Sequence, residues 1–445
     1  MRNILENMEL SKINKIHFIG IGGIGISAIA RMMILDGKNV SGSDASLSIV
    51  TEELRKIGAE IFMGHSGDNI KDVDFVVYTT AIAKDNPELQ KAINLNIPTY
   101  SYPQMLGFVS AGKFTIAVSG THGKTTTTAM IAKILMDANL DPTVIVGSLL
   151  KDEKSNLVIG KSKYFVVEAC EYRRAFLNLI PRIIVITNIE EDHLDYYKDI
   201  SDIQRAFSEF ISKLENEDFL VCNIDDDNLR AIIKLAKCKI IDYSSQLVID
   251  LKLKVPGRHN LENAKAALAV ARHIGVDDES ARHSLENFSG TWRRFEYKGQ
   301  TNEGALIYDD YAHHPTEIKA TLKGAREFFG DKKIFCVFQP HLFSRTRFLL
   351  EEFSKSFSDA DTVLIADIYA SRETDDGQIH SRDLAKKISQ FSKNVIYLES
   401  FEKIGDYLKS NIKSGDVIIT MGAGDIYQVT QFLELSTVFD KRLTS

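Results

Sequence analysis

The sequence predicts an α/β protein of three domains. These are an N-terminal Rossmann-like domain, a central P-loop ATPase-type domain with a mainly parallel sheet, and a C-terminal Rossmann-like domain. Short apolar strands alternate with helices from Lys15 to Thr420. Two glycine-rich turns, Gly20–Gly25 and Gly120–Gly123, each stand between a strand and a helix. Polar residues gather just after apolar runs, at the carboxyl ends of strands, where open parallel sheets bind ligands. At about 150 residues per domain, 445 residues suit three domains, placed at 1–110, 111–292 and 293–445.

Composition removes several function classes. A net charge of −7 gives no electrostatic reason to expect nucleic acid or an acidic lipid surface as partner. Four cysteines, Cys170, Cys222, Cys238 and Cys336, lack paired spacing, so neither a disulfide framework nor a zinc site is expected, and a reducing cytoplasmic setting fits. The stretch Met1–Lys15 is charged and lacks the apolar core of a signal peptide. Ile16–Leu35 is apolar, but His17, Ser27, Arg31 and four clustered glycines suit a strand–turn–helix, not a membrane span.

In the first segment the expected strands are Lys15–Ile19, Asn39–Ser43 and Phe75–Tyr78, with a helix over Ile24–Asp36. Gly20-Ile-Gly22-Gly23-Ile-Gly25 has the G-x-G-x-x-G spacing, and Asp44 follows about 20 residues on. Read alone this predicts a dinucleotide-binding unit, with a nicotinamide cofactor as one candidate. The same turn serves any pyrophosphate, including that of a UDP-sugar, because its backbone amides face the anion.

The second segment holds the stretch on which most rests, Gly120-Thr121-His122-Gly123-Lys124-Thr125-Thr126, between a strand at Phe114–Val118 and a helix at about Thr125–Ala138. Amides of the turn and helix N-terminus cradle a phosphate, Lys124 supplies charge, and Thr125 suits Mg²⁺. The general phosphate-loop pattern would want glycine where Val118 stands, so this is a shortened variant. Tyr164–Glu171 reads as a strand ending in acid, and Ile183–Asn188 as another, running into Asp192-His193. Glu168 and His193 would then sit near the cradle as ligands of a hard cation. Glu190 and Glu191 read equally well as a solvated turn. Ahead of a helix at Ala264–Ile274, His259 and Asn263 lie four apart, suited to an adenine ring or to capping alike.

The third segment expects strands at Lys333–Phe338, Thr362–Ala366 and Val417–Thr420, and a helix at Glu317–Phe329 started by Pro315 and Thr316. Asp309-Asp310-Tyr311-Ala312-His313-His314 precedes that helix, and Ser344-Arg345-Thr346-Arg347 follows a strand end. Two adjacent histidines before a proline do not by themselves make a tetrahedral metal set. The tail at 438–445 is expected to be loosely held.

Taken together, six stretches in order resemble the Mur ligase family over nearly the whole chain. They are His17–Ser27, Ser41–Asp44, Gly120–Thr126, Thr187–His193, Gly257–Asn260 and Asp309–Thr316. His122 in the cradle and the His313-His314-Pro315-Thr316 element resemble the branch that adds alanine, whereas most relatives have asparagine in the cradle. The resemblance implies that ATP and Mg²⁺ are used to join L-alanine to the lactyl carboxylate of UDP-N-acetylmuramate through an acyl phosphate. It assigns the UDP-sugar to the first domain, ATP to the second and the amino acid to the third, and no nicotinamide to any of them.

By the same resemblance Lys124 lies on the β- and γ-phosphates, Thr125 and Glu168 share Mg²⁺, and His193 binds a second Mg²⁺. Lys124, Glu168 and His193 form the catalytic set. Gly120, Thr121, His122, Gly123, Thr126, His259, Asn263 and Asp310 complete the ATP site. Gly20, Gly22, Gly23, Gly25, Ser27, Asp44 and His122 face the UDP-sugar, and His314 and Arg345 grip the amino acid. Cys170 stands where many relatives are acidic, and so takes no metal role. Leu342 replaces an arginine of some relatives, and the modified lysine of later-acting ligases has no counterpart here.

Three other readings compete. A nicotinamide dehydrogenase leaves the second cradle unexplained, and a non-enzymatic ATP switch would form no amide. A sibling ligase that attaches a preformed peptide tends to carry extra residues after the Glu168 strand. Here Glu168 and His193 are 25 residues apart, which favours the alanine enzyme. Oligomeric state is left open by the sequence.

Overall fold

The computed structural model describes residues 13–234, 236–245, 248, 250–371 and 373–435. The tail 438–445 lies outside these residues. The chain forms two compact units. One comprises Met1–Glu190, Ile200–Asp250 and Asn263–Glu286; the other comprises Glu191–Asp199, Leu251–Glu262 and Asn287–Ser445. No helix among the described residues is long and apolar enough to cross a membrane.

The first unit holds two sheets. The five-stranded sheet has β1 (Lys15–Ile19), β2 (Asn39–Asp44), β3 (Glu60–Met63), β4 (Phe75–Tyr78) and β5 (Thr99–Ser101) in the order β3-β2-β1-β4-β5. All its pairings are parallel. Chain order reverses between β1 and β4, so a crevice opens beyond their carboxyl ends, where doubly wound sheets bind ligands. The glycine turn leads from β1 into helix α1 (Ile24–Leu35). Helix α2 (Tyr102–Ser110) follows β5.

The seven-stranded sheet comprises β6 (Phe114–Ser119), β7 (Thr143–Leu150), β8 (Ser155–Val158), β9 (Tyr164–Glu168), β10 (Ile183–Ile186), β11 (Phe219–Cys222) and β12 (Lys239–Asp242). Its order is β12-β11-β10-β6-β9-β7-β8, parallel except for the β7–β8 hairpin. Central β6 and β10 are buried on both faces, which is why they read as unbroken apolar runs instead of alternating ones. Helix α3 (Lys124–Asp137) starts at the end of β6. The hairpin reaches the first sheet: Asn156 Nδ2 donates to Ile24 O and, at 3.3 Å, to Ser27 Oγ at the head of α1.

Helix α4 (Arg258–His273) begins six residues before the expected Ala264, so His259 and Asn263 both stand in its first turns. The second unit is built on β13 (Glu296–Gln300), β14 (Leu306–Asp310), β15 (Ile334–Phe338), β16 (Thr362–Ile365), β17 (Val395–Tyr397) and β18 (Val417–Met421). Their order is β13-β14-β18-β15-β16-β17, with only the β13–β14 pairing antiparallel. Helix α5 (Pro315–Phe329) follows β14, and α6 (Phe343–Phe348) follows β15.

Two local departures carry chemistry. The strand expected to run from Tyr164 to Glu171 ends at Glu168. The chain then turns into a 3₁₀ stretch, Tyr172–Asn178, in which Arg173 and Arg174 take positive φ of 51° and 57°. This turn frees Glu168 and Glu171 from the alternation of a strand, so both can serve one site.

Candidate active site

The expected phosphate cradle is set by β6, whose carboxyl end delivers Gly120, and by α3, whose N-terminus is of the kind that suits an anion. Gly123 caps the helix with φ 81°, a conformation L side chains rarely adopt, and a Cβ there would lie 2.4 Å from Asn263 Oδ1. Neighbouring β10 supplies the other wall. Asn188 accepts from Thr121 N through its carbonyl (3.0 Å) and from His122 N through Oδ1 (2.9 Å). Thr187 Oγ1 donates to His122 O at 2.5 Å, and Thr121 Oγ1 accepts from Glu190 N at 2.8 Å.

Lys124 folds back over this loop. Its Nζ donates to Gly120 O (2.5 Å), Thr121 O (2.9 Å) and Glu171 Oε1 (2.9 Å). Burial pulls the ammonium pKa down, but Glu171, by its charge and hydrogen bond, together with Cys170 and Glu168 outweighs it and the net shift is upward. The lysine is therefore a fixed positive charge that can be passed to a phosphate. Beside it Thr125 Oγ1 donates to Glu168 Oε2 at 2.9 Å, and Gly147 N holds the same oxygen at 2.8 Å. A hydroxyl and a carboxylate from adjacent elements are hard oxygen donors of the kind Mg²⁺ takes alongside phosphate oxygens, so these residues fit that ion. Thr126 is buried behind them in α3.

Glu171 and Gly147, together with Thr187 and Asn188, contact the cradle residues and were not assigned a role by the sequence reading. For Glu171 the signal was present, an acid ending an apolar run. Its pairing with Lys124 depends on β9 lying directly beside β6.

The first glycine turn is bound differently. Gly20 N and Ile21 N donate to Ser43 O at 2.8 and 3.0 Å, and Gly22 N donates to Asp44 Oδ2 at 2.8 Å. Gly23 N returns to Gly20 O at 3.2 Å. Ser27 is buried, donates to Ile24 O at 2.8 Å and accepts from Asn156, which gives it a latching role in helix packing. His122 Nε2 lies 3.4 Å from Glu190 Oε2.

The remaining expected residues belong to the second unit and are described within it. Asp192-His193 belongs to the second unit. His193 takes φ 55° and its N donates to Asp192 Oδ1 at 2.7 Å. Arg345 does not present an empty guanidinium. It is nearly buried, donates from Nη2 (3.0 Å) and Nε (3.3 Å) to Asp192 Oδ1, and contacts His341 Nδ1 at 3.1 Å. Burial raises the Asp192 pKa, but Arg345 together with His193, His313 and His314 overrides it and holds the carboxyl well below the usual range. His314 caps α5: its Nδ1 accepts from Thr316 N at 3.3 Å and its Nε2 meets Glu191 O at 3.1 Å. Both ring nitrogens thus have partners within the protein. Asp310 accepts from Ala312 N (2.8 Å) and Phe295 N (2.7 Å), and burial raises its pKa. His259 lies in the first turn of α4, where a Cβ at Gly257 would approach its ring to 2.6 Å.

Three family models match this chain in succession: the Mur ligase family catalytic domain over 15–114, the Mur ligase middle domain over 118–249, and the Mur ligase glutamate ligase domain over 293–424. UDP-N-acetylmuramate–L-alanine ligase of Clostridium tetani is 46% identical over 446 residues, covering 94% of this chain and 97% of that protein. The chain belongs to the Mur ligase family. The corresponding ligase of Clostridium novyi is 47% identical, with 94% and 97% coverage. Among solved structures, the UDP-N-acetylmuramate–alanine ligase MurC of Thermotoga maritima superposes with a TM-score of 0.80 at 30% identity, covering 94% of this chain and 98% of that one. A murein peptide ligase of Psychrobacter arcticus gives 0.69 at 25% identity, with 94% and 97% coverage. Membership accounts for the shortened cradle, and removes the nicotinamide reading of the first glycine turn.

Proposed function

We propose that this Mur ligase joins L-alanine to the lactyl carboxylate of UDP-N-acetylmuramate, with ATP converted to ADP and phosphate, as a cytoplasmic step of peptidoglycan synthesis. The observation that carries it is the Gly120–Thr125 cradle with Glu168 on Thr125, in a chain that matches alanine ligases over nearly their full length.

The lactyl carboxylate attacks the γ-phosphorus of ATP, ADP leaves, and an acyl phosphate forms. The alanine amine attacks the acyl carbon, loses a proton, and phosphate departs from the tetrahedral intermediate. Such transfer asks the protein mainly for positioning and charge neutralisation. Lys124 exchanges its loop carbonyls for the β- and γ-phosphates, while Glu171 keeps it charged. Thr125 and Glu168 would hold Mg²⁺ and His193 a second ion; when bound, the metal would supply positive charge that neutralises the phosphate oxygens which otherwise repel the carboxylate. His259 and Asn263 serve adenine, and Asp310 the ribose through its loop. The Gly20–Gly25 turn takes the diphosphate, with Asp44 and Ser27 shaping it and His122 reaching the sugar side. Arg345, already shaped to a carboxylate by Asp192, takes the alanine carboxylate with His314 beside it. Exclusion of water then protects the acyl phosphate.

The test is to incubate the protein with ATP, Mg²⁺ and UDP-N-acetylmuramate, offer a panel of amino acids and one tripeptide, and weigh the products. The expected product is the alanyl adduct with one ADP per amide. Adduct from the tripeptide alone, or none at all, overturns the reading.

A further inference from the structure

A cavity of about 230 Å³ lies within the first unit between the head of α1 and the end of β9. Ile24, Gly25, Gly147 and Glu168 are among the residues that line it. Most of the rest is apolar, including Leu106, Phe176 and Leu179. Whole-ligand pockets occupy roughly 300–1,000 Å³, so this space takes a short arm of a ligand and not a whole sugar nucleotide.

Tyr102 stands in that cavity at the first position of α2. A capping box fixes the helix start: Ser101 N and Ser101 Oγ donate to Gln104 Oε1 at 2.8 and 2.9 Å. The ring is pressed onto the last glycine of the first turn. A Cβ at Gly25 would lie 2.7 Å from Tyr102 Cζ and 2.8 Å from its hydroxyl oxygen. The absence of a side chain at Gly25 thus leaves room for the ring of a tyrosine 77 positions away. Among the described residues the Tyr102 hydroxyl has no hydrogen-bond partner. The side chain is partly buried and lines the cavity, so its hydroxyl, set among apolar neighbours, is left to donate to an acceptor that a ligand brings.

We propose that Tyr102 is a substrate-binding residue of the ligase, its hydroxyl donating to the lactyl carboxylate where that arm of the sugar nucleotide enters the cavity beside Glu168. The assignment rests on the function proposed above. It answers a need of that chemistry: a second carboxylate close to Glu168 is repelled, and a neutral donor lining the same cavity offers its oxygen a partner. Burial keeps the phenol above its ordinary pKa, so it remains a donor throughout the working range. The apolar walls suit the methyl of the same arm.

Tyr102→Phe removes the hydroxyl and keeps the ring on Gly25, so the fold should survive, as a thermal melt will check. The affinities of UDP-N-acetylmuramate and UDP-N-acetylglucosamine, which lacks the lactyl arm, are measured by calorimetry with Mg²⁺ and a non-hydrolysable ATP analogue. The expected result is at least a tenfold weaker hold on UDP-N-acetylmuramate, with UDP-N-acetylglucosamine changed less than twofold. Equal affinity of variant and parent for UDP-N-acetylmuramate, or equal loss for both ligands, overturns the role of Tyr102 and leaves the ligase reading intact. If the unaltered protein binds no UDP-N-acetylmuramate, the ligase reading fails and the role of Tyr102 with it.

Discussion

The two glycine turns of the first unit share a plan and differ in what already sits on their amides. Both leave an inner parallel strand and enter a helix. The Gly20–Gly25 turn is closed by its own sheet, with Ser43 O on two amides and the Asp44 carboxylate on Gly22 N. The Gly120–Gly123 turn is braced from outside by Asn188 and Thr187, and carries a lysine held over it by Glu171. The first is closed on itself and, among the described contacts, holds no lysine or arginine, in keeping with the proposal that it seats a diphosphate that stays intact. The second gathers a lysine, a hydroxyl and two carboxylates, which is what moving a phosphoryl group requires. A glycine pattern therefore reports where an anion rests; the charges around it report whether bonds change there.

The largest effect expected from this contrast falls on the second turn. Lys124→Ala or Glu168→Gln should lower kcat by about 10³-fold or more, as removal of a transition-state charge partner does. The fold and UDP-sugar affinity should persist, read by circular dichroism and calorimetry. Near-normal turnover in either folded variant would break the distinction. Glu171→Gln should cost less, about tenfold in kcat, because the bound phosphates themselves keep Lys124 charged once it leaves its loop carbonyls. If that loss matches that of Lys124→Ala, Glu171 touches the reaction itself.

On the first turn, Asp44→Ala removes the only side-chain partner of Gly22 N among the described contacts. The seat loosens, and UDP-sugar affinity should fall by roughly three- to tenfold, the worth of one hydrogen bond to a charged group in a partly exposed site. ATP affinity should not change. An unaltered UDP-sugar affinity would mean that the turn holds its shape through Ser43 alone.

How far these sites were legible in the sequence follows from the range of each contact. Strands β1 and β4 matched their expected bounds to the residue, because parallel strands covered on both faces read as apolar runs. The cradle was legible because its parts are consecutive. Glu171 and Tyr102 were not, since each acts on a glycine-rich turn 47 or 77 residues away and only strand order brings them there. His314 and Arg345 were visible as residues but not in their present bonds, because Glu191 and Asp192 reach them from a loop over 100 positions earlier. The β7–β8 hairpin gave no periodic signal strong enough to name, yet it latches Ser27.

The smallest effect on function, and the sharpest separation of the two turns, concerns acid. Beneath the first turn Ser43 also belongs to a buried cluster in which its Oγ donates to Glu88, His65 Nδ1 lies 3.1 Å from that carboxylate, Asn69 Nδ2 donates to it at 2.6 Å, and His17 Nε2 lies 3.7 Å away. Burial pushes the Glu88 pKa up, but the bonds from His17, Ser43 and Asn69 prevail and hold it at about 2, against an ordinary 4.5. A carboxyl whose folded pKa is depressed contributes stability that is complete above its unfolded pKa and is lost as pH falls towards the folded one. The Glu88 contribution, about 3 kcal/mol at most, should therefore fade between pH 4.5 and about 2. Lys124, whose shift is upward, contributes no loss in that window. Denaturant unfolding across pH 2–5 should show a slope that Glu88→Gln flattens and Lys124→Ala leaves in place, with turnover at neutral pH changed little by Glu88→Gln. An identical slope in the Glu88 variant would detach the acid response from the first turn and return it to the carboxylates of the molecule at large.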